Sequence, residues 1–280
     1  MMMRASLAIL GLLAAEPCLA QTEAARPVPP AGRPIDPAAQ GWSVTVGAAP
    51  ILTPMWQGSR DMALSIFPDL RINYKDAIFA SIPDGLGWNA VNRDGWKAGP
   101  LAKMRFGRDE DRGGSPFLIT GSSDALRGMG NIAAAAELGG FVEKRFGSWR
   151  ARVELRRGFG GHEGVIADTA LTYRTRAGRA IVSIGPRATI ASKAFIDTYF
   201  GIDTAQSRRT GLRTYAASGG VLSYGIGGSV LRPINRRSAV TLFTGLDRLG
   251  DAAGDSPLIR ERGRRMQFTL GLGYGYRFRL

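Results

Sequence analysis

The residues best suited to acid–base chemistry are His162 and Glu163, which are adjacent in the stretch "GFGGHEG". His162 is the only histidine of the chain. A histidine beside a carboxylate can serve as a general base, and hydrolases that pair serine with histidine use it to activate a nucleophile. Because no recognisable nucleophile motif accompanies this pair, we interpret His162 as a loop residue that makes hydrogen bonds. Lipid hydrolysis stays as an alternative function.

Two further patterns could bind ligands, but both are unspecific. Asp109, Glu110 and Asp111 supply three carboxylates in the charged stretch "FGRDEDRGG". A solvated loop is a simpler interpretation of this stretch than a metal site. The glycine clusters "GFGG" and "GLGYGY" do not precede a helical pattern, so they indicate no phosphate-binding loop. The sequence therefore predicts no catalytic residue, no cofactor and no metal site.

The amino-terminal segment indicates export. Residues 1–20 combine Arg4, an apolar run over residues 7–15 and the small residue Ala20, which is the pattern of a secretory signal peptide. A lipoprotein signal at Cys18 is the disfavoured alternative, and cleavage after Ala20 would remove the only cysteine of the chain. The net charge of +14 suits nucleic acid, an anionic membrane surface or acidic ligands. Export argues against nucleic acid as the partner.

The rest of the chain has the pattern of a membrane-spanning β-barrel. Residues 21–40 are rich in Pro and Ala and are predicted to form an extended periplasmic leader, whereas residues 41–280 alternate strand patterns with turn residues. No run of ~20 apolar residues follows the signal peptide, so a closed antiparallel barrel is the remaining way to cross a membrane. About twelve strands are predicted, with ten as the alternative, because Pro68 and Pro83 interrupt the weakest region. The predicted strands cover residues 42–50, 66–74, 77–82, 87–91, 96–106, 133–146, 149–159, 165–175, 179–190, 219–233, 238–249 and 265–280.

The lengths of the connections support this architecture. Links after even-numbered predicted strands are short, such as "GS" at residues 147–148 and "RAG" at residues 176–178. Links after odd-numbered strands are mostly long and cover residues 51–65, 107–132, 160–164, 191–218 and 250–264. Outer-membrane barrels have short periplasmic turns and long extracellular loops, so this parity predicts that both chain ends lie in the periplasm of a Gram-negative envelope.

Charged residues repeat on one face of several predicted strands. Over residues 149–156, four apolar residues alternate with three arginines and one glutamate. A charge on the lipid face costs ~2–4 kcal/mol near the midplane, so the charged set must face the lumen, where it needs partners. The candidate lumen network consists of Arg150, Arg152, Glu154, Asp168, Arg174 and Arg187, with Glu143 as a further counter-charge. Either this network only satisfies a polar barrel interior, or it lines a path for a solute.

The final stretch, "MQFTLGLGYGYRFRL", alternates over its full length. Its apolar set, from Met266 to Leu280, is predicted to face lipid, while its glycine, polar and arginine residues face a crowded lumen. The aromatic residues near its end are expected to share a periplasmic girdle with Phe146 and Trp149. The pattern resembles the terminal signal that is read by the barrel-assembly machinery, and the residues assigned to this signal are Tyr274, Tyr276, Phe278 and Leu280.

Basic residues are frequent in the predicted outer loops. From the sign of their charge alone, we expect them to contact the phosphates of lipopolysaccharide, while the apolar strand faces contact outer-membrane lipids. The residues concerned are Arg108, Arg112, Arg127, Arg208, Arg209, Arg260 and Arg262.

Several stretches resemble, in order along the chain, the MipA/OmpV family of outer-membrane proteins, which is founded on the MltA-interacting protein. They are "VGAAPILTPMWQGS", "GPLAKMRFGRDED", "AELGGFVEKRFGSWRARVEL", "GHEGVIADTALTY", "GPRATIASKAFIDTYFGID" and "LDRLGDAAGDSPL". The residues that carry the family pattern are Gly58, Gly107, Arg108, His162, Gly164, Tyr199, Phe200, Gly201, Arg248, Leu249, Asp251, Ser256 and Pro257. The chain departs from this pattern at Glu163, where a basic residue is expected, and at Leu280, where barrels usually end in phenylalanine.

The resemblance implies a non-enzymatic outer-membrane barrel. The founding member is a scaffold that joins a murein-degrading transglycosylase to a murein synthase, and other members are linked to adhesion, osmotic response or antibiotic response. A structural or scaffolding function is therefore the first expectation, with murein enzymes as candidate partners. A narrow solute channel and an adhesin are the alternatives, and no partner-binding motif selects among them.

Overall fold

The computed structural model describes residues 41–279. The predicted signal peptide, the predicted leader and Leu280 lie outside the described residues, so their assignments stay predictions. Within residues 41–279, no helix is both long enough and apolar enough to cross a membrane.

The described chain consists of β-strands joined by short turns at one rim and by longer, partly helical connections at the other. The strands are β1 (Trp42–Pro54), β2 (Met62–Tyr74), β3 (Ile78–Ser81), β4 (Gly85–Trp88), β5 (Val91–Arg93), β6 (Trp96–Arg105), β7 (Leu118–Thr120), β8 (Ala135–Phe146), β9 (Trp149–Gly160), β10 (Val165–Ala177), β11 (Ala180–Ala191), β12 (Gly220–Pro233), β13 (Ser238–Leu249) and β14 (Met266–Arg279). The helices are α1 (Lys193–Phe200), α2 (Thr204–Thr210), α3 (Asp251–Gly254) and α4 (Pro257–Arg262).

Twelve of these strands close into an antiparallel β-barrel. They pair in the order β1-β2-β3-β4-β6-β8-β9-β10-β11-β12-β13-β14. The last strand then pairs with the first along a seam that runs from Ser43 opposite Arg279 to Leu52 opposite Leu270. Closure removes both edge strands, which would otherwise expose unpaired backbone groups to lipid. The predicted fold class is therefore confirmed, with twelve strands rather than ten.

The outer surface of the barrel is apolar because alternate residues of each strand point outward. On β14, Phe268, Leu270 and Leu272 lie outward and are 39–49% exposed, whereas Gln267 and Thr269 point inward and are fully buried. The same alternation holds on the neighbouring strands, so most charged side chains of the wall lie inside, whereas Arg157 and Arg248 are exposed on the outward face. This apolar band is the lipid-facing surface of a transmembrane barrel.

Aromatic side chains surround the periplasmic end of this band. They sit at the level where amphipathic rings meet the headgroups of the bilayer, as expected for a transmembrane barrel. The band and girdle together place the protein in the bacterial outer membrane. The contacting pairs are Trp42 with Tyr74, Trp149 with Tyr173, and Tyr276 with Phe278, at ring-centroid distances of 4.7, 5.0 and 4.8 Å.

Tight turns join the strands at the periplasmic rim. Lys75 and Asp76 have φ of 49° and 53°, and Asp94 and Gly95 have φ of 52° and 75°. Two successive left-handed residues are the mark of type I′ turns, whose twist matches that of a β-hairpin. The four helices and β7 all lie in connections at the opposite rim. The sequence pattern predicts long loops there but neither the helices nor β7.

The wall is irregular near Pro68. The strands β3 and β4 have only four residues each, so their hairpin pairs with the periplasmic end of β2 and stops there. Proline has no N–H to give to a ladder, and Pro68 stands in the part of β2 beyond this hairpin. The predicted strand over residues 87–91 is split between β4 and β5, because the Ala90 N–H bonds to the Trp88 carbonyl oxygen and bends the chain.

Candidate functional site in the capped lumen

A belt of buried, charged side chains crosses the outer half of the lumen. Its centre is Arg156, which is 3% exposed. The Nε atom of Arg156 donates to Glu137 Oε2 at 2.9 Å, while Nη1 and Nη2 donate to Glu154 and Asp168. Arg105 Nε donates to the other oxygen of Glu137 at 2.5 Å. One guanidinium therefore joins carboxylates from three adjacent strands through charge-assisted hydrogen bonds.

The belt extends to both sides of this centre. Lys103 Nζ lies 2.7 Å from Glu154 Oε2, and Arg187 Nε donates to Asp247 Oδ1 at 2.8 Å. Arg187 reaches from β11 to β13 because Gly245 leaves room, since a Cβ there would lie 2.3 Å from Arg187 Nη2. We call the set the outer belt, and it balances four cations against four carboxylates. Its members are Lys103, Arg105, Arg156, Arg187, Glu137, Glu154, Asp168 and Asp247.

The balance of charge changes closer to the periplasm. Glu143 accepts hydrogen bonds from Arg145 Nε at 2.8 Å and from Arg152 Nη1 at 3.1 Å, and Arg150 Nη1 lies 3.7 Å from the same carboxylate. Arg174 lies on the inward face of the neighbouring strand β10. We call these five residues the basic vestibule. It contains one carboxylate and four guanidinium groups.

The residues of the predicted lumen network all face inward, but their pairing differs from the expectation in one place. Arg152 contacts both Glu143 and Glu154, as the sequence suggested for the arginines of this strand. Arg187, in contrast, pairs with Asp247, a carboxylate outside the predicted network. Asp247 could not be predicted as the partner, because β13 is two strands away from β11 and nothing in the alternation marks this residue.

The long connections fold over the outer belt as a compact cap with an apolar core. Trp56, Leu126, Phe195, Phe200 and Leu258 are each at most 1% exposed, and they come from four different connections. A packed apolar layer therefore covers the outer mouth of the lumen. The cap core comprises Met55, Trp56, Ala63, Leu126, Met129, Ile166, Ala191, Phe195, Ile196, Tyr199, Phe200, Ile202, Leu212, Ala217, Leu222, Leu249, Ala253, Leu258 and Ile259.

Hydrogen bonds to backbone carbonyl oxygens join the connections within the cap. Arg108 Nη1 donates to the Tyr199 oxygen at 2.5 Å, and Ser256 Oγ donates to the Phe200 oxygen at 2.6 Å. The hydroxyl of Tyr215 donates to a carbonyl oxygen of α3 at 2.9 Å, and burial raises the pKa of this tyrosine. Removal of such a donor leaves a buried acceptor unsatisfied, which makes these bonds costly to lose.

The cap also crosses the seam between the first and last strands. The Gly58 N–H donates to Gln267 Oε1 at 2.9 Å, and Arg60 Nε donates to the Gly263 oxygen at 2.6 Å. Gly58 has φ of 112°, and a Cβ there would lie 2.2 Å from Ile259 Cδ1. Only glycine fits this conformation and this contact without a rearrangement.

Most positions of the family pattern lie in or beside the cap. Gly164 packs directly on α1, where a Cβ would lie 2.4 Å from the Cβ of Phe195. Asp251, at the start of α3, is exposed, and its Oδ1 accepts a hydrogen bond from Arg265 at 2.8 Å. Gly107, Gly201, Leu249 and Pro257 are buried, whereas Arg248 is exposed. Most residues of the family pattern therefore serve to pack the loops of the cap against one another.

His162 lies at the boundary between the belt and the cap. It is 2% exposed, and its Nε2 lies 3.1 Å from Glu137 Oε1. Its ring packs against Phe195 and Tyr199, with centroid distances of 4.9 and 6.0 Å. Its Nδ1 has no hydrogen-bond partner within residues 41–279, so no serine hydroxyl of that region is placed for activation by this histidine. The neighbouring Glu163 is exposed.

The acidic residues of the loop 109–111 organise their own backbone. Asp109 Oδ1 accepts the N–H groups of residues 111–112, each at 2.9 Å. Glu110 Oε2 accepts the N–H groups of Gly128 and Gly130 at 2.9 and 2.8 Å. In the part of the chain that the structure describes, no three His, Cys, Asp or Glu side chains are grouped in a way that could hold a metal ion.

Two of the arginines expected at lipopolysaccharide donate hydrogen bonds within the cap. Arg108 is 4% exposed and bonds to the Tyr199 oxygen. Arg262 donates to the carbonyl oxygens of Ala125 at 3.2 Å and Thr210 at 2.5 Å. Arg108 is therefore buried away from the cell surface, whereas a lipopolysaccharide contact of the partly buried Arg262 stays a prediction. Arg112, Arg127, Arg208, Arg209 and Arg260 are exposed.

At least two small cavities lie in the lumen formed by residues 41–279. One, of about 40 Å³, lies where the belt meets the cap, beside Arg105 and Leu249. The other, of about 70 Å³, lies nearer the basic vestibule, between Arg150 on one side and Ser183 and Ser229 on the other. Spaces of this size hold a few water molecules or a small ion.

The barrel and its loops are similar to those of a known protein family. A family model described as MltA-interacting protein MipA matches residues 46–278. The chain belongs to the MipA family. The match covers the whole barrel and its cap, so the family assignment rests on the same residues that build the lumen, and it confirms the resemblance seen in the sequence. No curated protein matches the chain significantly.

Solved structures similar to this MipA-family chain are outer-membrane barrels. An outer membrane channel from Pseudomonas putida F1 is 12% identical, with 85% of this chain and 96% of that chain covered and a TM-score of 0.44. The NanC porin is 8% identical, with 84% and 99% covered and a TM-score of 0.39. At this level of similarity the neighbours carry no argument about what passes through, or binds to, the present barrel.

Proposed function

We propose that this MipA-family protein is a non-enzymatic structural barrel that anchors a periplasmic partner to the outer membrane. The closed lumen carries the proposal. The apolar cap covers the outer mouth, and the outer belt fills the space below it with paired charges. A barrel that served mainly to conduct solutes would need an open path between its rims, whereas a filled barrel is a rigid, membrane-embedded support.

The surface available to such a partner is the periplasmic rim, which consists of the short turns between the strands. Its exposed basic residues outnumber its acidic ones, and a basic surface is complementary to an acidic protein surface. The name of the family, MltA-interacting protein, supports a protein partner, and we propose a murein transglycosylase or synthase in this role. The basic residues are Lys75, Arg93, Arg179, Arg236 and Arg237, and the acidic ones are Asp76 and Asp94.

A pull-down from envelope extract tests this proposal. Tagged protein is expected to retain murein enzymes, and the variant Arg179→Glu/Arg236→Glu is expected to lose most of them because the rim has reversed charges. The variant Arg208→Glu/Arg213→Glu makes the same change of charge on the cap and is the matched control. Equal recovery of murein enzymes by the two variants, or their absence from the parent sample, would contradict a scaffold that acts through the rim.

A narrow channel is the second candidate, and the two lumen cavities favour it over the remaining alternatives. A barrel of twelve strands has a lumen that side chains can largely fill. Planar-bilayer recordings on purified protein separate the candidates. Discrete conductance events in the parent protein would favour the channel over the scaffold.

The exposed face of the cap supports a further contact with the cell surface. The arginines at 112, 127, 208, 209 and 260 are exposed there, and we propose that they bind lipopolysaccharide phosphates. Binding of fluorescent lipopolysaccharide should weaken in the variant Arg208→Glu/Arg260→Glu and stay unchanged in Arg179→Glu/Arg236→Glu. If the affinity for lipopolysaccharide is unchanged in Arg208→Glu/Arg260→Glu, these two arginines do not bind its phosphates.

A further inference from the structure

Two arginines stand together at the outer end of the seam between the first and last strands. Arg60 comes shortly before β2 and Arg264 shortly before β14, and the residues that precede them, Ser59 and Gly263, form an antiparallel bridge. The bridge brings the two arginines to the same point of the rim, although they come from opposite ends of the barrel sequence. Among the residues that the structure describes, neither arginine lies in an ion pair.

The guanidinium of Arg60 is oriented by neutral partners. Its Nε donates to the Gly263 oxygen at 2.6 Å, and its Nη2 donates to the Arg260 oxygen at 3.5 Å. Carbonyl oxygens fix the direction of a guanidinium group, but they carry no net charge. A guanidinium has more N–H donors than these two bonds use, so the exposed Arg60 keeps donors for an oxyanion.

The partly buried Arg264 also has only a neutral contact. Its Nη2 donates to the thioether sulfur of Met62 at 3.2 Å, and its buried Nε has no hydrogen-bond partner within residues 41–279. Asp61 and Glu261 are close in sequence, but both are exposed and neither pairs with these arginines in the described chain. A partly buried guanidinium without a counter-charge is unfavourable, so an anion beside Arg264 would be stabilising. We call Arg60, Met62 and Arg264 the seam corner.

An apolar strip runs from the seam corner along the lipid-facing wall. Leu64, Leu52 and Leu270 are direct cross-strand neighbours on β2, β1 and β14. Met62 lies on the same face of β2 as Leu64, and Met266, at the start of β14, is 42% exposed. Basic groups above an apolar surface are complementary to a lipid whose phosphate stands above its acyl chains.

We propose that the seam corner binds a phosphate of lipid A, while acyl chains of the same molecule lie on the apolar strip. The corner faces the outer leaflet because the cap and the long connections stand at this rim. Lipid A carries phosphates and several acyl chains, which matches paired arginines above a strip that is three strands wide. A bound lipid joins the first strand to the last and so reinforces closure of the barrel.

This site extends beyond the lipopolysaccharide contact proposed for the cap. That contact uses arginines on the exposed face of the cap, and neither Arg60 nor Arg264 belongs to it. The seam corner instead places the lipid against the wall of the barrel. The two proposals can therefore fail independently of each other.

Titration with fluorescently labelled lipid A tests the seam corner. The whole barrel is used, folded in maltoside micelles at constant ionic strength. Arg60→Gln/Arg264→Gln removes two charge-assisted contacts and should raise the Kd at least ~tenfold. The matched control, Arg179→Gln/Arg236→Gln, removes two charges from exposed periplasmic turns and should stay within about twofold of the parent. Equal Kd values for the two variants would overturn the proposal.

Lipid A without its phosphate groups separates phosphate recognition from apolar contact. The parent should bind this form at least ~tenfold more weakly than lipid A, whereas Arg60→Gln/Arg264→Gln should bind both forms with the same Kd. A parent that does not discriminate between the two forms would refute a phosphate site. Heat-modifiable mobility shows whether the double variant is folded. If it is not, Arg60→Gln alone, which changes an exposed side chain, should still raise the Kd several-fold.

Two further arms identify the source of the phosphate and the neighbouring contact. Displacement of labelled lipid A by an equal concentration of phosphatidylglycerol would show that any lipid phosphate is accepted, and would overturn the assignment to lipid A. Arg208→Gln/Arg209→Gln removes the same charge from the face of the cap. Weaker binding in this variant but not in Arg60→Gln/Arg264→Gln would reject the seam corner and support the cap contact. The reverse result would support the seam corner and reject the cap contact.

Discussion

Replacement of Leu258 by alanine is expected to open the cap while the barrel stays intact. Leu258 is 0% exposed and packs in the cap core beside Ile259. Truncation of a buried leucine to alanine costs ~2–5 kcal/mol, from the lost transfer energy and the cavity left behind. The twelve barrel strands are held by their ladders and by lipid, so this cost falls on the closing of the cap. At ~3 kcal/mol, the open population rises about 150-fold.

Limited trypsin digestion of the protein in lipid vesicles measures this opening. The bond after Arg262 is protected when the cap is closed, because the Arg262 guanidinium is bonded to carbonyl oxygens of two other connections and Gly263 is buried. Cleavage after transient opening follows the open population, so Leu258→Ala should be cut there ~10²-fold faster than the parent. Heat-modifiable mobility before digestion confirms that the barrel is folded.

Leu246→Ala is the matched control for this experiment. It makes the same chemical change on the lipid face of β13, where the side chain is 46% exposed. Its cleavage rate should stay near that of the parent protein. If Leu258→Ala and Leu246→Ala are cut at the same rate, the cap is not a cooperative unit, and the argument that it seals the mouth is refuted.

Three other changes test the belt, the cap and the terminal strand. Glu137→Gln removes the carboxylate that contacts Arg105, Arg156 and His162. Because buried guanidinium charge is then left uncompensated, the free energy of unfolding in urea titrations should fall by ~3–5 kcal/mol. A decrease of less than ~1 kcal/mol would show that the belt contributes little to stability. Gly164→Ala places a methyl group against α1 and should speed trypsin cleavage after Arg262. Gly228→Ala, whose new Cβ makes ordinary contacts, should leave the cleavage rate unchanged. Equal rates for the two variants would count against tight packing of Gly164 on α1. Phe278→Ser combined with deletion of Leu280 should reduce the heat-modifiable fraction in outer membranes, and normal mobility would remove the terminal assembly signal.

The barrel follows from local patterns, and for that reason the sequence predicts it well. Alternation fixes which side of a strand faces lipid, and the cost of a charge in lipid fixes which face is inside. Short turns such as Asp94-Gly95 mark the strand ends. The weak region at Pro68 is the instructive exception. There the hairpin of β3 and β4 is too short to carry an alternation, and residues 89–90 bend the chain in the middle of a predicted strand.

The cap and the details of the belt could not be predicted in the same way. Each helix of the cap has eight residues or fewer, so it shows no periodicity, and its apolar residues find partners only in other connections. Arg108 was assigned to the surface because its position within its own loop does not reveal that Tyr199 covers it. Asp247 was missed because an ion pair across an intervening strand leaves no trace in the spacing of either strand.

The hydrogen bonds that cross the seam also determine when the cap can form during folding. Gly58 and Gln267 are 209 positions apart, so their hydrogen bond can form only after the last strand has been made and has paired with the first. A chain that stalls before β14 would keep the apolar residues of its outer connections uncovered, as folding intermediates do when their surfaces await a late partner. We therefore expect an unfinished barrel to be more sensitive to proteases than a finished one, in which the cap covers these apolar residues.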